Sequence, residues 1–272
     1  MKKFLGQNFL GDPNILRKIL SVIPTRFPVL EVGTGSGILT QGLAKTVLHS
    51  IHSFEIDPPT FEVALAKLAA FPQVTLHNAD FLEATIPFSE PYIVVANIPY
   101  YITSPIIAKC LTDPLLQGLY LMVQKEIANR IIAQPGESDY SSFSIFCQTR
   151  AKARKLFAVS RNCFFPKPNV DSAFIEILPR GDLLSQIRNL PLYEQIVHSA
   201  FWGKRKTLLN CLSKSPYVRF NKDELLNIFH ELNISETLRG EALSIDSYIL
   251  MSNLIGTRLV KLNRPVPSHH CK

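Results

Sequence analysis

The sequence has few of the features that would assign it to several common protein classes. Only five of its 272 residues are cysteines, and none forms a Cys-x-x-Cys pair, which argues against a zinc knuckle or a disulfide framework. We interpret the C-terminal His269-His270-Cys271 as a frayed terminus, so no metal is expected. No apolar run approaches the roughly 18 residues that a membrane-spanning helix needs.

The N-terminal segment also lacks the uninterrupted apolar stretch of a secretory signal. It begins with two lysines, but Gly6, Gln7 and Asn8 break the apolar run too early. We therefore expect a cytoplasmic protein with no membrane partner. Hydrophobic residues make up 46% of the chain and charged residues 19%, a composition typical of globular domains with a full core.

Acidic residues are missing from two basic segments. Residues 150–170 contain six basic residues, and residues 198–220 contain five lysines and arginines, in a chain of net charge +7. Two acid-free basic segments indicate a polyanionic partner, although a solvated basic surface is the alternative. The candidate contacts to such a partner are Arg150, Lys152, Arg154, Lys155, Lys204, Arg205 and Lys206.

The first part of the chain alternates short apolar runs with helical patterns. This alternation predicts a parallel sheet with helical crossovers, that is, a doubly wound, Rossmann-like α/β fold. Asp12, Asp57 and Ser104 each precede a proline and are predicted to cap the helices that follow. The predicted strands are 28–32, 51–56, 73–80, 91–97 and 118–124.

Three further segments complete the predicted organisation. Residues 1–10 are expected to form an irregular arm, and residues 155–159 and 172–178 an antiparallel edge of the sheet. After Pro179-Arg180-Gly181 the pattern becomes helical throughout. We therefore expect a catalytic domain over residues 1–180 and a smaller all-helical domain over 181–272.

Polar and glycine residues stand where three predicted strands end. Gly33 and Gly35 belong to a Gly-x-Gly-x-Gly turn after the first strand, and Glu55 and Asp80 close the second and third strands. At the carboxyl edge of a doubly wound sheet, such residues can hold a nucleoside, with the Glu on the ribose hydroxyls and the Asp on an adenine amine. Each feature alone also fits an ordinary turn, and NAD enzymes use a similar acid.

The segment ANIPYYITSPI follows the fourth predicted strand and adds a second set of polar groups. Asn97 offers a side-chain carbonyl to an exocyclic amine, and Pro99 cannot donate, so acceptors dominate the lining. Tyr100 offers a ring on which a base can stack. These residues favour a pocket for a flat ring that carries an amine.

An amine held by two acceptors would direct its nitrogen lone pair at an electrophile. If the neighbouring nucleoside is S-adenosylmethionine, that electrophile is its sulfonium methyl group, and the pattern predicts methyl transfer. A nicotinamide oxidoreductase is the alternative, disfavoured by the glycine spacing and by Asn97-Ile98-Pro99-Tyr100.

Eight segments spread along the chain together match the motifs of a known family: QNFL (7–10), EVGTGSG (31–37), FEID (54–57), NAD (78–80), ANIPYYITSP (96–105), VQKEIANRI (123–131), FFPKPNVDSA (164–173) and AFWGKRKTLLNCL (200–212). In these segments the chain resembles the KsgA/RsmA family of small-subunit ribosomal RNA adenine dimethyltransferases, relatives of the Erm resistance methylases. The last two motifs favour KsgA/RsmA over Erm, whereas NIPY in place of NLPY leans toward Erm.

The resemblance implies roles for individual residues. Asn8 and Leu10 would cover the cofactor and Gly33 would meet its methionine part, while Glu55 and Asp80 would meet its ribose and adenine. Asn97 would lie between the cofactor and the target base. The flipped adenine would be held between Tyr100 and Phe164.

The resemblance also implies the substrate. We expect dimethylation of two adjacent adenines near the 3′ end of small-subunit (16S) ribosomal RNA, within the immature 30S subunit, by a monomeric enzyme. The alternatives are an assembly factor that acts mainly by binding, or an Erm-type large-subunit methylase. One departure is Tyr140-Ser141-Ser142, where the family usually has Tyr-Gly-Arg.

Overall fold

The structure is a computed structural model that describes residues 8–203, 205–217 and 220–261. The chain divides into two compact units. The first holds the described residues up to Ala128 together with Ala151–Pro179, and the second holds residues 129–150 and the described residues from Arg180 onward.

Seven strands of the first unit form one mixed sheet within the described residues. They are β2 (Val29–Val32), β3 (Ile51–Glu55), β4 (Val74–Asn78), β5 (Tyr92–Asn97), β6 (Leu116–Gln124), β7 (Ala151–Val159) and β9 (Ser172–Pro179). Their order in the sheet is β4-β3-β2-β5-β6-β9-β7. Neighbours from β4 to β6 run parallel, and β9 and β7 continue the sheet antiparallel.

This arrangement confirms the predicted Rossmann-like α/β fold. Because β2 to β5 run parallel, their carboxyl ends meet at one edge of the sheet, where such folds bind ligands. The helices are α1 (Pro13–Val22), α2 (Ile38–Thr46), α3 (Pro58–Leu68), α4 (Thr103–Leu111), α5 (Lys125–Ile132), α6 (Ser142–Arg150), α7 (Leu190–Ala200), α8 (Leu208–Lys214), α9 (Lys222–Glu231) and α10 (Ile245–Lys261).

Two of the three predicted helix caps are confirmed. The Asp12 carboxylate accepts from Asn14 N, and the Asp57 carboxylate from Thr60 N, each before a proline in the first turn. The predicted Ser104 cap is wrong. A 3₁₀ turn leads directly into α4, which therefore begins at Thr103 and has no side-chain cap.

The expectation of an irregular N-terminal arm is wrong at two residues. Phe9–Leu10 forms a short strand, β1, which pairs antiparallel with β8 (Phe164–Phe165). Leu10 lies opposite Phe164, and both side chains are buried in one apolar cluster of the first unit. Residues 1–7, including Gln7 of the QNFL motif, lie outside the described residues.

The second unit is helical, with its own apolar core. The segment 129–150 belongs to this core and not, as expected, to the first domain, because Tyr140 and Ile145 pack in the same cluster as α7, α8 and α10. The Tyr140 hydroxyl also donates to Leu243 O at 3.3 Å. At the Tyr-Ser-Ser departure, the Ser144 hydroxyl donates to Arg130 O, and Ser141 N donates to the Ser144 oxygen.

The described part of the chain lacks two further features. None of its helices is long and apolar enough to cross a membrane. No group of three or more His, Cys, Asp or Glu side chains in that part is arranged to hold a metal ion. The cluster His269-His270-Cys271 lies outside the described residues.

Candidate active site

A cavity of about 290 Å³ lies at the carboxyl edge of the parallel strands. Its walls are the turns that follow β2, β3, β4 and β5, together with β1. Most of the sequence-predicted cofactor and catalytic residues line it, namely Asn8, Leu10, Gly33, Gly35, Glu55, Asp80, Asn97, Pro99 and Tyr100.

The glycine turn brings bare backbone to the cavity wall. Gly33 and Gly35 have φ values of 83° and 55°, which side-chain-bearing residues rarely adopt. A Cβ atom at Gly35 would lie 3.1 Å from the Phe9 ring, and one at Gly33 would lie 3.4 Å from Pro99 Cδ. Both positions therefore require glycine, and they leave room for a ligand to lie against the main chain.

Glu55 is buried at the end of β3, with its carboxylate held from two sides. Oε2 accepts from Gly35 N at 2.8 Å, and Oε1 accepts from Asp57 N at 2.9 Å. Each carboxylate oxygen can accept more than one hydrogen bond, so both retain capacity toward the cavity. The carboxylate thus links the glycine turn to the start of α3 and can still accept a pair of hydroxyl donors.

Asp80 lies two residues beyond the end of β4, in a tight turn. Its Oδ1 atom accepts from Leu82 N at 2.8 Å. Its backbone carbonyl accepts from Glu83 N and Ala84 N. These hydrogen bonds close the turn around Asp80, and Oδ2, which takes no part in them, can accept from a ligand.

Asn97 ends β5, and its amide is oriented by the N-terminal strand. Asn97 Nδ2 donates to Asn8 O at 3.0 Å, which fixes the plane of the amide. The carbonyl Oδ1 is then the acceptor that Asn97 presents to the cavity. The sequence predicted an acceptor here, but not the backbone oxygen that orients it.

Tyr100 is half-buried in the 3₁₀ turn after β5. Its hydroxyl shares a hydrogen bond of 2.8 Å with the buried Ser172 Oγ. Burial raises the pKa of the Tyr100 hydroxyl above its ordinary value, so the group stays protonated near neutral pH. This leaves the ring as its functional surface.

Phe164 is not among the residues that line the cavity. It is 5% exposed and packs in the apolar cluster with Leu10 and Phe157. The β1–β8 register explains this, because it turns Phe164 to the same side as the buried Leu10. The neighbouring Phe165 is 73% exposed.

The sequence profile of the family "Ribosomal RNA adenine dimethylase" matches residues 1–256. The chain belongs to this family. The resemblance noted from its motifs is therefore confirmed, and the chain is a methyltransferase. Members of the family use S-adenosylmethionine. Because the chain is a methyltransferase, the alternative of a nicotinamide oxidoreductase is wrong.

Curated relatives align along most of the chain. The Ribosomal RNA small subunit methyltransferase A of Geobacillus sp. (strain WCH70) is 37% identical over 266 residues, covering 93% of this chain and 91% of that protein. The protein of the same name from Bacillus mycoides (strain KBAB4) is 39% identical over 267 residues, covering 93% of this chain and 91% of that protein.

Two solved structures share the fold along nearly their whole length. A dimethyladenosine transferase from Plasmodium falciparum has a TM-score of 0.77 and 26% identity, covering 94% of this chain and 97% of that one. The 23S rRNA methyltransferase ErmE has a TM-score of 0.69 and 27% identity, covering 90% of this chain and 98% of that one.

The basic candidates of the first unit of this dimethylase lie on the edge strand β7. Lys152, Arg154 and Lys155 are exposed, and Arg154 Nε contacts Glu176 Oε2 at 2.5 Å. The expectation that Arg150 faces a polyanion is wrong. Arg150 belongs to the second unit, is 5% exposed, and is bound there by the Glu194 carboxylate.

The basic candidates of the second unit follow Trp202. Arg205 and Lys206 are exposed, and Lys206 Nζ lies 3.7 Å from the centroid of the Trp202 ring, in a cation–π contact. Lys204 lies outside the described residues.

Sequence reasoning missed one buried acid of the site, Glu31. Its Oε2 atom accepts from the hydroxyls of Thr40 and Ser53 at 2.6 Å each, whereas Oε1 has no hydrogen-bond partner among the described residues. Burial raises the pKa of this carboxyl from 4.5 to about 7. The two hydroxyl hydrogen bonds lower this pKa in part, and the nearby Glu55 carboxylate raises it further. The only sequence signal was an acid inside an apolar strand.

We expect Glu31→Gln to change how stability depends on pH. Between pH 4.5 and about 7 the folded protein holds a proton that the unfolded chain releases, so the wild-type free energy of unfolding falls as pH rises through this window. The variant has no carboxyl to titrate here and should not lose this stability. Across the window, the wild type should therefore lose up to roughly 3 kcal/mol more unfolding free energy than the variant. Urea unfolding of the ligand-free protein at pH 5 and pH 8 measures it.

The control for this experiment is the exposed Glu62→Gln, which should track the wild type at both pH values. If Glu31→Gln and the wild type lose the same stability between pH 5 and pH 8, the Glu31 carboxyl does not hold a proton in that range.

Proposed function

We propose that the protein transfers methyl groups from S-adenosylmethionine to the exocyclic N6 amines of two adjacent adenines near the 3′ end of small-subunit ribosomal RNA. The observation that carries this proposal is the Asn97 amide, whose nitrogen is bound to Asn8 O and whose oxygen is left for a donor in the cavity. The small-subunit methyltransferases among the relatives support the choice of RNA.

The cavity fits the proposed cofactor. The residues that would hold it are Glu55 at the ribose hydroxyls, Asp80 at the adenine amine, and the Gly33 turn at the methionine part, covered by Asn8 and Leu10. The bare glycine backbone and the two carboxylates with spare acceptor capacity match these three parts. When bound, S-adenosylmethionine supplies an electrophilic methyl group on a sulfonium.

The chain's part in the reaction is to position the target amine. Asn97 Oδ1 and the carbonyls that follow it accept the two N6 hydrogens, which points the nitrogen lone pair away from them and toward the methyl group. Pro99 has no N–H to compete for these acceptors. The Tyr100 ring stacks on the adenine, which must leave its own stack to enter the cavity.

No strong base is required in this scheme. The methylated nitrogen becomes cationic and readily loses a proton to water. The raised pKa of the Tyr100 hydroxyl agrees with this assignment, because a phenol that stays protonated serves as a ring and a hydrogen-bonding group, not as a base.

The proposed partner is small-subunit ribosomal RNA within the immature 30S subunit, reached in the cytoplasm by a monomer. The test is transfer of a labelled methyl group to small and large subunits that lack the modification. We expect label in the small-subunit RNA. Label confined to large-subunit RNA would support the Erm-type alternative instead.

We expect Tyr100→Ala to lower methyl transfer clearly, since loss of stacking costs roughly 1–3 kcal/mol per base. Tyr100→Phe should restore most of the activity, because it keeps the ring and loses only the Ser172 contact. Ser172→Ala removes that contact from the other side and should match Tyr100→Phe. If Tyr100→Phe is as inactive as Tyr100→Ala, stacking is the wrong explanation.

We also propose that Arg205 and Lys206 contact RNA phosphates. Replacing both with alanine should weaken subunit binding and reduce the slope of log affinity against log salt by at most about 2, because fewer counterions are released. Lys222, which precedes Asp223 and Glu224, provides the control as Lys222→Ala. An unchanged slope would mean that these two residues do not contact phosphates, and Lys152, Arg154 and Lys155 would then be the candidates for that contact.

A further inference from the structure

Lys109, in the last turn of α4, makes a set of contacts that the proposed function does not use. Its half-buried ammonium donates to three backbone carbonyls, Phe81 O at 2.7 Å, Leu82 O at 2.9 Å and Ala84 O at 2.5 Å. The same nitrogen lies 4.8 Å from the centroid of the Phe81 ring. A lysine has three N–H donors, so these carbonyls use all of them.

The three carbonyls belong to the turn that carries Asp80. Within this turn Asp80 O accepts from Glu83 N and Ala84 N, and Asp80 Oδ1 accepts from Leu82 N. The three carbonyls that Lys109 binds take no part in these hydrogen bonds within the turn. Lys109 therefore completes the turn, since three convergent carbonyl dipoles repel one another without a cation between them.

The turn forms the wall of the cavity where a purine is proposed to lie. Asp80 and Phe81 both line the cavity, and the Phe81 ring packs edge-on against Phe54 at 5.4 Å. Lys109 itself is not among the lining residues, so it acts through them.

Helix α4 also connects Lys109 to another part of the cavity wall, the turn that follows β5. The helix begins directly after the Tyr100 turn, and the Thr103 hydroxyl donates to Pro99 O or Tyr100 O. It is anchored by Ile106 and Ile107, both fully buried. The same helix thus follows the target-base segment at its N-terminus and, through Lys109 in its last turn, contacts the Asp80 turn.

We infer that Lys109 is a positioning residue for purine recognition: it fixes the Asp80 turn so that the carboxylate and the Phe81 wall meet the adenine of the bound nucleoside. This inference rests on the proposed function, because that proposal places the adenine at Asp80. Without Lys109, the three carbonyls are exposed to water and the turn loses its fixed conformation. The Asp80 carboxylate then binds the adenine amine less tightly, so affinity falls most for ligands that carry this amine.

The experiment compares two ligands that differ at the purine, S-adenosylhomocysteine and S-inosylhomocysteine, the latter having a carbonyl in place of the amine. Calorimetry on the cofactor-free protein gives both affinities without measuring activity. The wild type is expected to prefer the adenine compound. In Lys109→Met this preference falls about tenfold, the loss expected for one charge-assisted hydrogen-bonding group. A general loss of structure would weaken both ligands alike and leave the ratio unchanged.

The matched control is Lys45→Met, an exposed lysine on α2, which should keep the wild-type ratio. If Lys109→Met does not fold, Lys109→Gln provides the same test, because a shorter neutral amide cannot serve three carbonyls. A wild-type ratio in the folded Lys109 variant overturns the inference alone. Failure of the wild type to bind either ligand overturns the cofactor assignment, and the inference with it.

Discussion

Replacing Asn97 with alanine is expected to slow the chemical step of methyl transfer by about 100-fold or more, the loss typical when one preorganised hydrogen-bonding group is removed from a transition-state site. The physical reason is orientation. Asn97 Nδ2 donates to Asn8 O at 3.0 Å, which orients the amide and leaves its oxygen as the acceptor that this cavity-lining residue offers. Alanine leaves one amine hydrogen without its acceptor, and the lone pair is no longer directed.

The measurement is single-turnover methyl transfer with saturating cofactor, which separates the chemical step from binding. Cofactor affinity, measured by calorimetry, should change much less than the rate. A rate within about twofold of the wild type would exclude Asn97 from this role, since even one removed donor or acceptor costs more.

The same variant separates catalysis from assembly. If the protein acts mainly by binding the immature subunit, Asn97→Ala should support subunit maturation although it does not methylate. If methylation is the required step, maturation should fail together with the activity.

Replacing Glu55 with alanine is expected to weaken S-adenosylmethionine binding by about 100-fold or more, because two hydroxyl donors lose a charged acceptor worth roughly 1.5–3 kcal/mol each. The carboxylate is buried and already fixed by Gly35 N and Asp57 N, so its position costs little further entropy on binding. Calorimetry on the purified variant measures the affinity.

Two controls accompany this experiment. The first is Glu55→Gln, which keeps one acceptor oxygen and should bind S-adenosylmethionine with intermediate affinity. The second is the melting temperature of each variant, which measures how much the Gly35 turn depends on the carboxylate. Affinity for the small subunit should stay at the wild-type level in both variants. Unchanged affinity of Glu55→Ala for the cofactor would remove Glu55 from the ribose site.

The parts of the fold that were predictable from sequence are those with local causes. An apolar run of strand length, or an aspartate before a proline, determines its structure within a few residues. The parallel sheet and the Asp12 and Asp57 caps were predicted on this basis and are confirmed. The residues at the strand ends could also be assigned to one cavity, because the topology of a parallel sheet brings its carboxyl ends together.

The features that escaped prediction depend on contacts between distant residues. The β1–β8 ladder pairs Phe9 with Phe165, and no local pattern in either segment indicates its partner. Arg150 looked like part of a basic surface because no acid is close to it in sequence, yet Glu194 meets it in the fold. Lys109 was missed for the same reason, since its acceptors are backbone carbonyls.

The most direct test of the central claim is to map the methylated nucleosides. Small subunits lacking the modification are incubated with the protein and S-adenosylmethionine, and their RNA is digested and sequenced by mass spectrometry. We expect N6,N6-dimethyladenosine at two adjacent positions near the 3′ end of the small-subunit RNA, and far less of it with Asn97→Ala after the same incubation time. Methylation at another base, or at an adenine of large-subunit RNA only, would contradict it.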